Sequence, residues 1–503
     1  MPRTQVLIAG AGPTGLVLAL WLDKLGVAVR IVDRTEGPAT TSRALAVQGR
    51  TLELYRQLGL ADAVIERGHK VPAVNLWARG EKAARIDFEN VGQGLTPFPF
   101  LLIFPQDEHE KLLVERLSAA GIEVERRTEL VGFEDRGDGV VARLLGPGGE
   151  ETCEAEYLAG CDGARSAVRH IVGAGFPGGD YRQVFYVADV EAAGASVNGE
   201  LHVDLDEADF LAVFPLTASG HVRLVGTVRD ERAEHAEDLT FADVSGRAIQ
   251  NMKLAVKSVN WFSTYHVHHR VTDRFRAGRA FLLGDAAHIH SPAGGQGKNT
   301  GLGDAINLAW KLAWVLAGKA PDALLDSFEA ERIGFARRLV ATTDRAFSFA
   351  TADGRMADLL RTRLAPLVLG TAMSVEAVRE FAFRTVSQIT LNYRGSPLSA
   401  GKVGDVHGGD RLPWTQADEA SAAIAMDWQV RSYGGVSDAL VRWCDARGLA
   451  LRQIDWTPEH AAAGLRQGAF YLLRPDTYVA LADDSGDPAV LERYFAARNL
   501  NFR

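Results

Sequence analysis

The sequence predicts an α/β fold with an antiparallel sheet inserted between two segments of α/β character. The chain opens with apolar strands at Gln5–Ile8 and Val27–Val32, which flank a helix expected at Leu16–Leu25. From about residue 176 to residue 269, strand patterns follow one another without helices, which is typical of antiparallel pairing. A further apolar strand then leads through a glycine-rich turn into a helix expected from about Leu302.

Length and composition limit the class of protein. A chain of 503 residues exceeds what one core supports, so two or three domains are expected. The net charge of -9 argues against a nucleic-acid partner, because phosphates would be repelled. The three cysteines, Cys153, Cys161 and Cys444, fit a reducing cytoplasm without a disulfide framework.

The N-terminal apolar stretch is interpreted as mature protein. Glycines at 10, 12 and 15 interrupt it where a signal peptide would be helical, and Asp23-Lys24 replaces a small-residue cleavage site. An uninterrupted apolar segment of about 18 residues is also missing from the sequence. We therefore expect no membrane partner.

The first turn carries a dinucleotide-binding fingerprint. Gly10 suits the tight turn, Gly12 allows close approach of a pyrophosphate, and Gly15 allows the helix to pack. Pro13 and Thr14 complete the turn. The alternative to a nucleotide-binding site is a glycine-rich turn that binds no ligand. The strand–turn–helix context favours a Rossmann-like nucleotide site.

Asp33 ends the second strand about 20 residues after the fingerprint, where an acid binds ribose hydroxyls. An acid at this place indicates a ribose without phosphate, so FAD or NAD fits better than NADP. Arg34 either stacks on the adenine or lies in solvent.

The second glycine-rich stretch lies between an apolar strand and a helix. Asp285, just past the strand, is placed to accept hydrogen bonds from sugar or ribityl hydroxyls. The glycines let a flat ligand approach the backbone, and the helix directs its free N–H groups at an electron-rich ring. The candidate cofactor residues of this stretch are Gly284, Asp285, Pro292, Gly295, Gly297, Lys298 and Asn299.

The run Gly-Asp-Ala-Ala-His, followed by Pro-x-Gly-Gly-x-Gly-x-Asn, resembles the flavin-contacting segment of the class A flavoprotein aromatic hydroxylases. This is the p-hydroxybenzoate and phenol hydroxylase family. The resemblance implies one FAD that contacts both glycine-rich stretches. Relatives often carry Met at the position of Lys298, whose cation either lies near the flavin pyrimidine edge or points to solvent.

The resemblance also implies roles for residues elsewhere. Arg43 matches an arginine that reaches the cofactor phosphates, and Gln106 matches a glutamine beside the flavin. Asp162 belongs to an Asp-Gly motif that relatives use for FAD and the pyridine nucleotide, and Arg165 is a candidate for contact with NADPH or NADH.

The inserted sheet is implied to roof the substrate pocket. Phe214 and Leu216 lie on one face of a strand, which favours a hydrophobic aromatic substrate without a carboxylate anchor. Arg223 is the alternative anchor, and Pro292 is expected to contact the substrate.

The family chemistry implies that NADPH or NADH reduces FAD, oxygen forms a flavin hydroperoxide, and a phenolic or polycyclic aromatic ring is hydroxylated. Candidates for the base are Tyr265, His202 and the carbonyl of Pro292. A Baeyer–Villiger or epoxidising enzyme and a non-catalytic flavin-binding scaffold are the alternatives. The histidines at 266, 268, 269, 288 and 290 are interpreted as structural rather than as metal ligands.

Four regions are expected along the chain. Residues 1–175 and 273–391 form the FAD-binding parts, residues 176–272 form the substrate sheet, and residues 392–503 form a thioredoxin-like C-terminal domain. The lone Cys444 excludes thiol redox chemistry there and favours packing or a homodimer contact.

Overall fold

The computed structural model of the chain describes residues 3–39, 44–78, 80–204, 210–217, 220–228, 239–244, 246–290, 295–351, 376–421 and 426–502. The elements of the N-terminal part are β1 Arg3–Ala9, α1 Pro13–Lys24, β2 Val29–Asp33, β3 Ala46–Val47, α2 Gly49–Arg56, α3 Ala61–Arg67, β4 His69–Val71, β5 Ala73–Ala78, β6 Glu81–Asp87, α4 Phe88–Gly92, β7 Leu101–Ile103, α5 Gln106–Ala119, β8 Val124–Arg126, β9 Glu129–Asp135, β10 Val140–Gly146, β11 Gly149–Gly160 and α6 Ala167–Ile171.

The central elements follow. They are β12 Gly178–Gly194, β13 Leu201–Asp204, β14 Leu211–Pro215, β15 His221–Val228, α7 Gly246–Asn251, β16 Leu254–Val271, β17 Arg276–Ala277, β18 Ala280–Leu282, β19 His288–Ile289, α8 Gly297–Leu316 and α9 Asp326–Thr351. The C-terminal elements are α10 Glu376–Val386, β20 Lys402–Val403, β21 Val406–His407, β22 Gln429–Tyr433, α11 Asp438–Asp445, β23 Ala450–Ile454, α12 Pro458–Ala462, β24 Phe470–Leu473, β25 Val479–Asp483 and α13 Pro488–Ala496.

The first sheet has the path β17-β18-β11-β1-β2-β8, in which β1 pairs in parallel with both β2 and β11. This confirms the predicted strand–helix–strand unit. The β9–β10 hairpin extends the sheet from β11. Because the chain leaves β1 on one side and returns through β11 on the other, the carboxyl end of β1 is the point where open α/β sheets bind ligands.

The core of this part forms around α1. Every α1 residue from Gly15 to Leu22 is buried, because the helix packs between the first sheet and helices α5 and α8. An apolar helix without a polar face matches this central place.

The second sheet has the order β19-β16-β12-β15-β14-β13-β5-β6. The pairs from β16 to β13 are antiparallel, as predicted. The sheet also recruits β5 and β6 from the N-terminal part, and β5 runs parallel to β13. It is therefore neither wholly antiparallel nor confined to the predicted range 176–272.

Helix α8 begins at Gly297, more than a turn before the predicted start at Leu302. Glycines lower helix propensity and masked this start in the sequence. Thr300 stabilises the first turn, since its N–H and its hydroxyl both donate to the carbonyl of Gln296 at 2.9 and 3.0 Å. Lys298 and Asn299 consequently lie in the first helical turn.

The C-terminal region forms a sheet of order β23-β22-β24-β25, in which β22 and β23 are parallel and β24 and β25 pair antiparallel. Trp428 packs edge-on against Trp310 and Trp314 of α8, with ring centroids 5.7 Å apart in both pairs. The two tryptophans of α8 are buried in this contact. Among the described helices, none is long and apolar enough to cross a bilayer.

Candidate functional site

The fingerprint turn has two glycines pressed against protein and one facing open space. A methyl group at Gly10 would overlap the carbonyl of Cys161, and one at Gly15 would overlap the carbonyl of Gly10. Gly10 also has φ +105, which favours glycine. A methyl group at Gly12 would meet no atom within 4 Å. The turn therefore presents Gly12 to a ligand while the other two glycines close the fold behind it.

Thr14 joins the two glycine-rich stretches. A methyl group added at Gly284 would lie 2.6 Å from the Thr14 hydroxyl, and one at Gly301 would lie 2.5 Å from it. The N-terminal turn, the Gly-Asp stretch and helix α8 thus meet at one side chain. An extended ligand on the first turn can reach the second stretch without a change of fold.

Asp33 contacts the first of the two stretches that meet at Thr14, and Asp285 lies on the second. Asp33 accepts from the N–H groups of Ala11 at 2.6 Å and Thr35 at 2.7 Å, which places its carboxylate beside the turn. Asp285 is exposed between buried neighbours, and the protein that surrounds it partly desolvates the carboxyl and raises its pKa. Arg34 is exposed.

Asn299 fastens the loop before α8 to the segment of β3. Its amide nitrogen donates to the carbonyls of Ala46 and Gly295 at 3.0 Å, and its amide oxygen accepts from Gln48 N–H and the Thr51 hydroxyl. These four hydrogen bonds use the whole amide group. Any contact of Asn299 with a cofactor falls to its backbone.

Lys298 points inward rather than into open solvent. Its ammonium donates to the carbonyl of Phe104 at 3.3 Å, just before Gln106 begins helix α5. Burial lowers its pKa to about 7, against the opposing charges of Glu110 and Asp107. Gln106 donates to Glu110 at 2.8 Å, so the first turns of α5 and α8 converge here.

Lys298→Met should change how the stability of the apoprotein depends on pH. The unfolded lysine holds its proton up to about pH 10, whereas the folded one releases it near pH 7, so the native state gains stability as pH rises between these values. The variant should be more stable than the parent by about 1–2 kcal/mol at about pH 6, with the difference vanishing toward about pH 10. Thermal unfolding across this range measures it, and a constant difference would contradict the assignment.

The Asp-Gly motif presents a free carboxylate oxygen. Oδ2 of Asp162 accepts from the N–H of Val168 at 3.1 Å, while Oδ1 is buried without a hydrogen-bond partner among the described residues. Gly163 has φ +77, which favours glycine at the turn, and Arg165 is exposed. An unsatisfied buried oxygen and an open Gly12 fit a ligand rich in hydroxyl and phosphate groups, as FAD is.

The apolar wall predicted for the substrate lies beside the loop that precedes α8. Phe214 and Leu216 pack, partly buried, against a cluster that includes Ala46 and Phe383. A methyl group at Gly295 would lie 2.8 Å from the side chain of Ala46, so the cluster and the glycine loop adjoin. The two apolar candidates therefore belong to a cluster that reaches the second glycine-rich stretch through Ala46.

Two polar candidates are already engaged by neighbouring side chains. The Arg223 guanidinium pairs with both oxygens of Asp189 at 2.5 and 2.6 Å. The imidazole of His202 accepts from Trp77 at 2.9 Å and bonds to Asn198 at 2.7 Å, and burial lowers its pKa to about 4. This geometry does not favour Arg223 as a carboxylate anchor or His202 as a base.

Three candidate residues remain, namely Tyr265, Arg43 and Pro292. The ring of Tyr265 packs against Phe185, with centroids 5.7 Å apart. Arg43 and Pro292 lie outside the described residues. Within the described ranges, no group of three or more His, Cys, Asp or Glu residues is arranged to hold a metal ion.

Sequence reasoning missed a buried acid behind the site. Asp304 of α8 accepts from the N–H of Gly284 at 3.0 Å and bonds to His288 at 2.7 Å. A usable signal was present, because Asp304, Asn307 and Lys311 place polar groups at i, i+3 and i+7 on an otherwise apolar helix.

Comparison with known proteins gives consistent matches over most of the chain. Residues 3–343 match the FAD binding domain family. The chain is 36% identical to 6-methylpretetramide 4-monooxygenase of Streptomyces rimosus, over 95% of this chain and 90% of that protein. It is 32% identical to a flavin-dependent monooxygenase of Mycobacteroides abscessus, over 96% of this chain and 97% of that protein.

A solved structure gives the same result. The OxyS anhydrotetracycline hydroxylase from Streptomyces rimosus aligns with a TM-score of 0.76 and 28% identity, over 100% of this chain and 99% of that one. The family match, the relatives and the meeting of the two glycine-rich stretches at Thr14 agree with the resemblance seen in the sequence. The chain belongs to the FAD-binding family of class A flavoprotein aromatic hydroxylases.

Proposed function

We propose that the protein is an FAD-dependent monooxygenase that uses NADPH or NADH and oxygen to hydroxylate a hydrophobic phenolic or polycyclic aromatic substrate. The observation that carries the proposal is the meeting of both cofactor stretches at Thr14, since one FAD then reaches from the first turn to the loop before α8. FAD, when bound, supplies the redox chemistry between the nicotinamide and oxygen.

The chain's own residues bind and orient the cofactor in this proposal. The open backbone at Gly12 receives the pyrophosphate, Asp33 the ribose, and Asp285 the hydroxyls of the ribityl chain. Asp162 offers its free oxygen, and the first turn of α8 directs its N–H groups at the flavin ring. Further roles proposed from the family pattern are those of Arg34, Arg43, Gln106, Pro292 and Lys298.

The substrate is proposed to be uncharged and apolar where it meets the sheet. Phe214 and Leu216 form an apolar wall, and pairing with Asp189 removes Arg223 as an anchor for a carboxylate. The relatives include a 6-methylpretetramide monooxygenase and an anhydrotetracycline monooxygenase, and these names support a polycyclic aromatic substrate. A dry pocket of this kind also keeps water from the reacting atoms.

The C-terminal region is proposed to be a thioredoxin-like domain spanning residues 392–503. Its parallel pair β22–β23, joined by α11, and its two antiparallel strands support that assignment. Cys444 is a buried free thiol, so a packing role is proposed rather than redox chemistry. We also propose a cytoplasmic location, in keeping with the three buried free thiols, and a homodimer.

Purified protein should be yellow and should oxidise NADPH or NADH faster when a phenolic or polycyclic aromatic is added. Mass spectra of the products should show the addition of one oxygen atom. A Baeyer–Villiger or epoxidising enzyme would give products other than phenols, and a flavin-binding scaffold would show no stimulation. A broad aromatic panel that leaves the oxidation rate unchanged would refute the hydroxylase assignment.

Asp285→Ala should weaken retention of FAD by about 10–100-fold, because hydrogen bonds to a charged group contribute about 1.5–3 kcal/mol. Flavin absorbance after desalting and titration of the apoprotein measure the effect. Asp138→Ala, in the exposed turn between β9 and β10, is the matched control and should keep full occupancy. If the Asp285 variant retained FAD as well as the parent does, the role proposed for Asp285 in binding FAD would be wrong.

A further inference from the structure

A buried chain of hydrogen bonds runs from the C-terminal region to the Gly-Asp stretch. Asp304 receives the N–H of Gly284 at 3.0 Å and contacts Nε2 of His288 at 2.7 Å. The other oxygen of Asp304 accepts from Nε of Arg332 at 2.6 Å. Nη1 of Arg332 donates to the hydroxyl of Tyr393 at 2.8 Å. The side chains of Asp304, Arg332 and Tyr393 therefore link the turn that carries Asp285 to the segment after α10.

Tyr393 is itself fixed by the C-terminal sheet. Its N–H donates to the carbonyl of Gly409 at 2.7 Å, and the N–H of Gly409 donates to the carbonyl of Val479 in β25 at 2.6 Å. Its ring lies against that of Tyr478, with centroids 4.5 Å apart. The position of the Tyr393 hydroxyl is consequently set by the C-terminal region.

Burial makes this chain sensitive to the loss of one member. Asp304 and Arg332 expose 0% and 1% of their side chains, so water cannot replace a missing partner. Burial alone would raise the pKa of Asp304, but the charges of Arg332 and His288 outweigh it and hold the pKa below its usual value. The ionised carboxylate accepts hydrogen bonds on both oxygens and thereby fixes Gly284 relative to Arg332.

We infer that Arg332 and Tyr393 are positioning residues that hold the Gly284–Asp285 turn in its cofactor-binding conformation. The C-terminal region thus contributes to the retention of FAD without contacting it. Loss of the Tyr393 hydroxyl leaves one arm of a buried guanidinium unpaired, and Arg332 must shift to satisfy it. Asp304 and the amide of Gly284 follow that shift. The inference rests on the proposed FAD site.

Tyr393→Phe should weaken FAD binding by about 5–20-fold, a range typical of coupling between separated sites. In the apoprotein, the peptide that contains the amide of Gly284 should exchange hydrogen for deuterium faster than in the parent. Tyr494→Phe is the matched control. It also removes a buried hydroxyl of the C-terminal region, which donates to the carbonyl of Leu398 at 2.6 Å, and it should leave both measurements unchanged.

A double variant tests the route. In an Asp304→Asn background, Tyr393→Phe should cause little further loss of FAD affinity, since the connecting carboxylate is already altered. Equal effects of Tyr393→Phe and Tyr494→Phe, or no effect of Tyr393→Phe on either measurement, would overturn the inference. If the parent bound no FAD, the proposed function would fail, while exchange at Gly284 would still decide the role of Tyr393.

Discussion

Glu331→Gln should lower the free energy of unfolding by about 3–5 kcal/mol, because it leaves the buried ammonium of Lys311 without a counter-charge, while Arg474 keeps only Asp476. Glu331 is fully buried, and its carboxylate accepts from Lys311 at 2.8 Å and from Arg474 at 2.6 Å. Burial alone would raise the pKa of Glu331, but these two cations lower it instead. Glutamine keeps the shape of the side chain, removes its charge and replaces one accepting oxygen with an NH2 group that faces other donors. Urea unfolding followed by circular dichroism measures the difference.

Glu492→Gln is the matched control for that experiment. Glu492 is also paired with an arginine, Arg447, but at 3.3 Å and with 62% of its side chain exposed. Exposed ion pairs contribute about 0–1 kcal/mol, so the stability should change little. Similar losses in the two variants would show that the buried cluster does not hold the C-terminal region to α8 and α9.

Gly12→Val should abolish most FAD binding while leaving the apoprotein folded. The backbone of Gly12 has an ordinary φ of -75, and a methyl group there would meet no protein atom. The new side chain would instead occupy the space proposed for the pyrophosphate. Overpacking of about 1–3 kcal/mol corresponds to a loss of about 5–150-fold in affinity. Titration of the apoprotein with FAD and thermal unfolding measure the two effects separately.

Gly15→Ala supplies the contrast from the same turn. Its methyl group would overlap the carbonyl of Gly10, so the loss should appear in the stability of the apoprotein itself. We assign Gly12 to ligand contact and Gly15 to packing. This assignment would be contradicted if the Gly12 variant lost as much stability as the Gly15 variant, or if it kept its FAD.

Local patterns predicted the parts of the fold that depend on neighbouring residues. The glycine spacing of the first turn specifies a conformation within a few residues, and the structure confirms that element. The pairing of β5 with β13 joins residues more than a hundred positions apart, and neither strand carries a signal that names its partner. The sequence therefore predicted the antiparallel pairing of the inserted sheet, but not that β5 and β6 belong to the same sheet.

The same distinction applies to the site. Gly12 and Asp285 were identified because each follows a strand at a characteristic distance. The ion pair between Arg223 and Asp189 depends on the register of two strands. The hydrogen bond from Trp77 to His202 depends on β5, a strand from the N-terminal part. Asp304 shares a polar pattern with Asn307 and Lys311, but its partners Gly284 and Arg332 lie 20 and 28 residues away, and the pattern does not identify them.

The place of Thr14 between Gly284 and Gly301 determines when the protein can first hold its cofactor. During synthesis, β1 emerges long before β11, its partner in the sheet, and Thr14 emerges long before the glycines that enclose it. Closing such long loops is slow, and early chain segments wait with apolar surface uncovered. The ribosome must therefore synthesise about three-fifths of the chain before the protein can bind the flavin nucleotide. Until then, the nascent N-terminal part exposes apolar surface of the kind that chaperones bind.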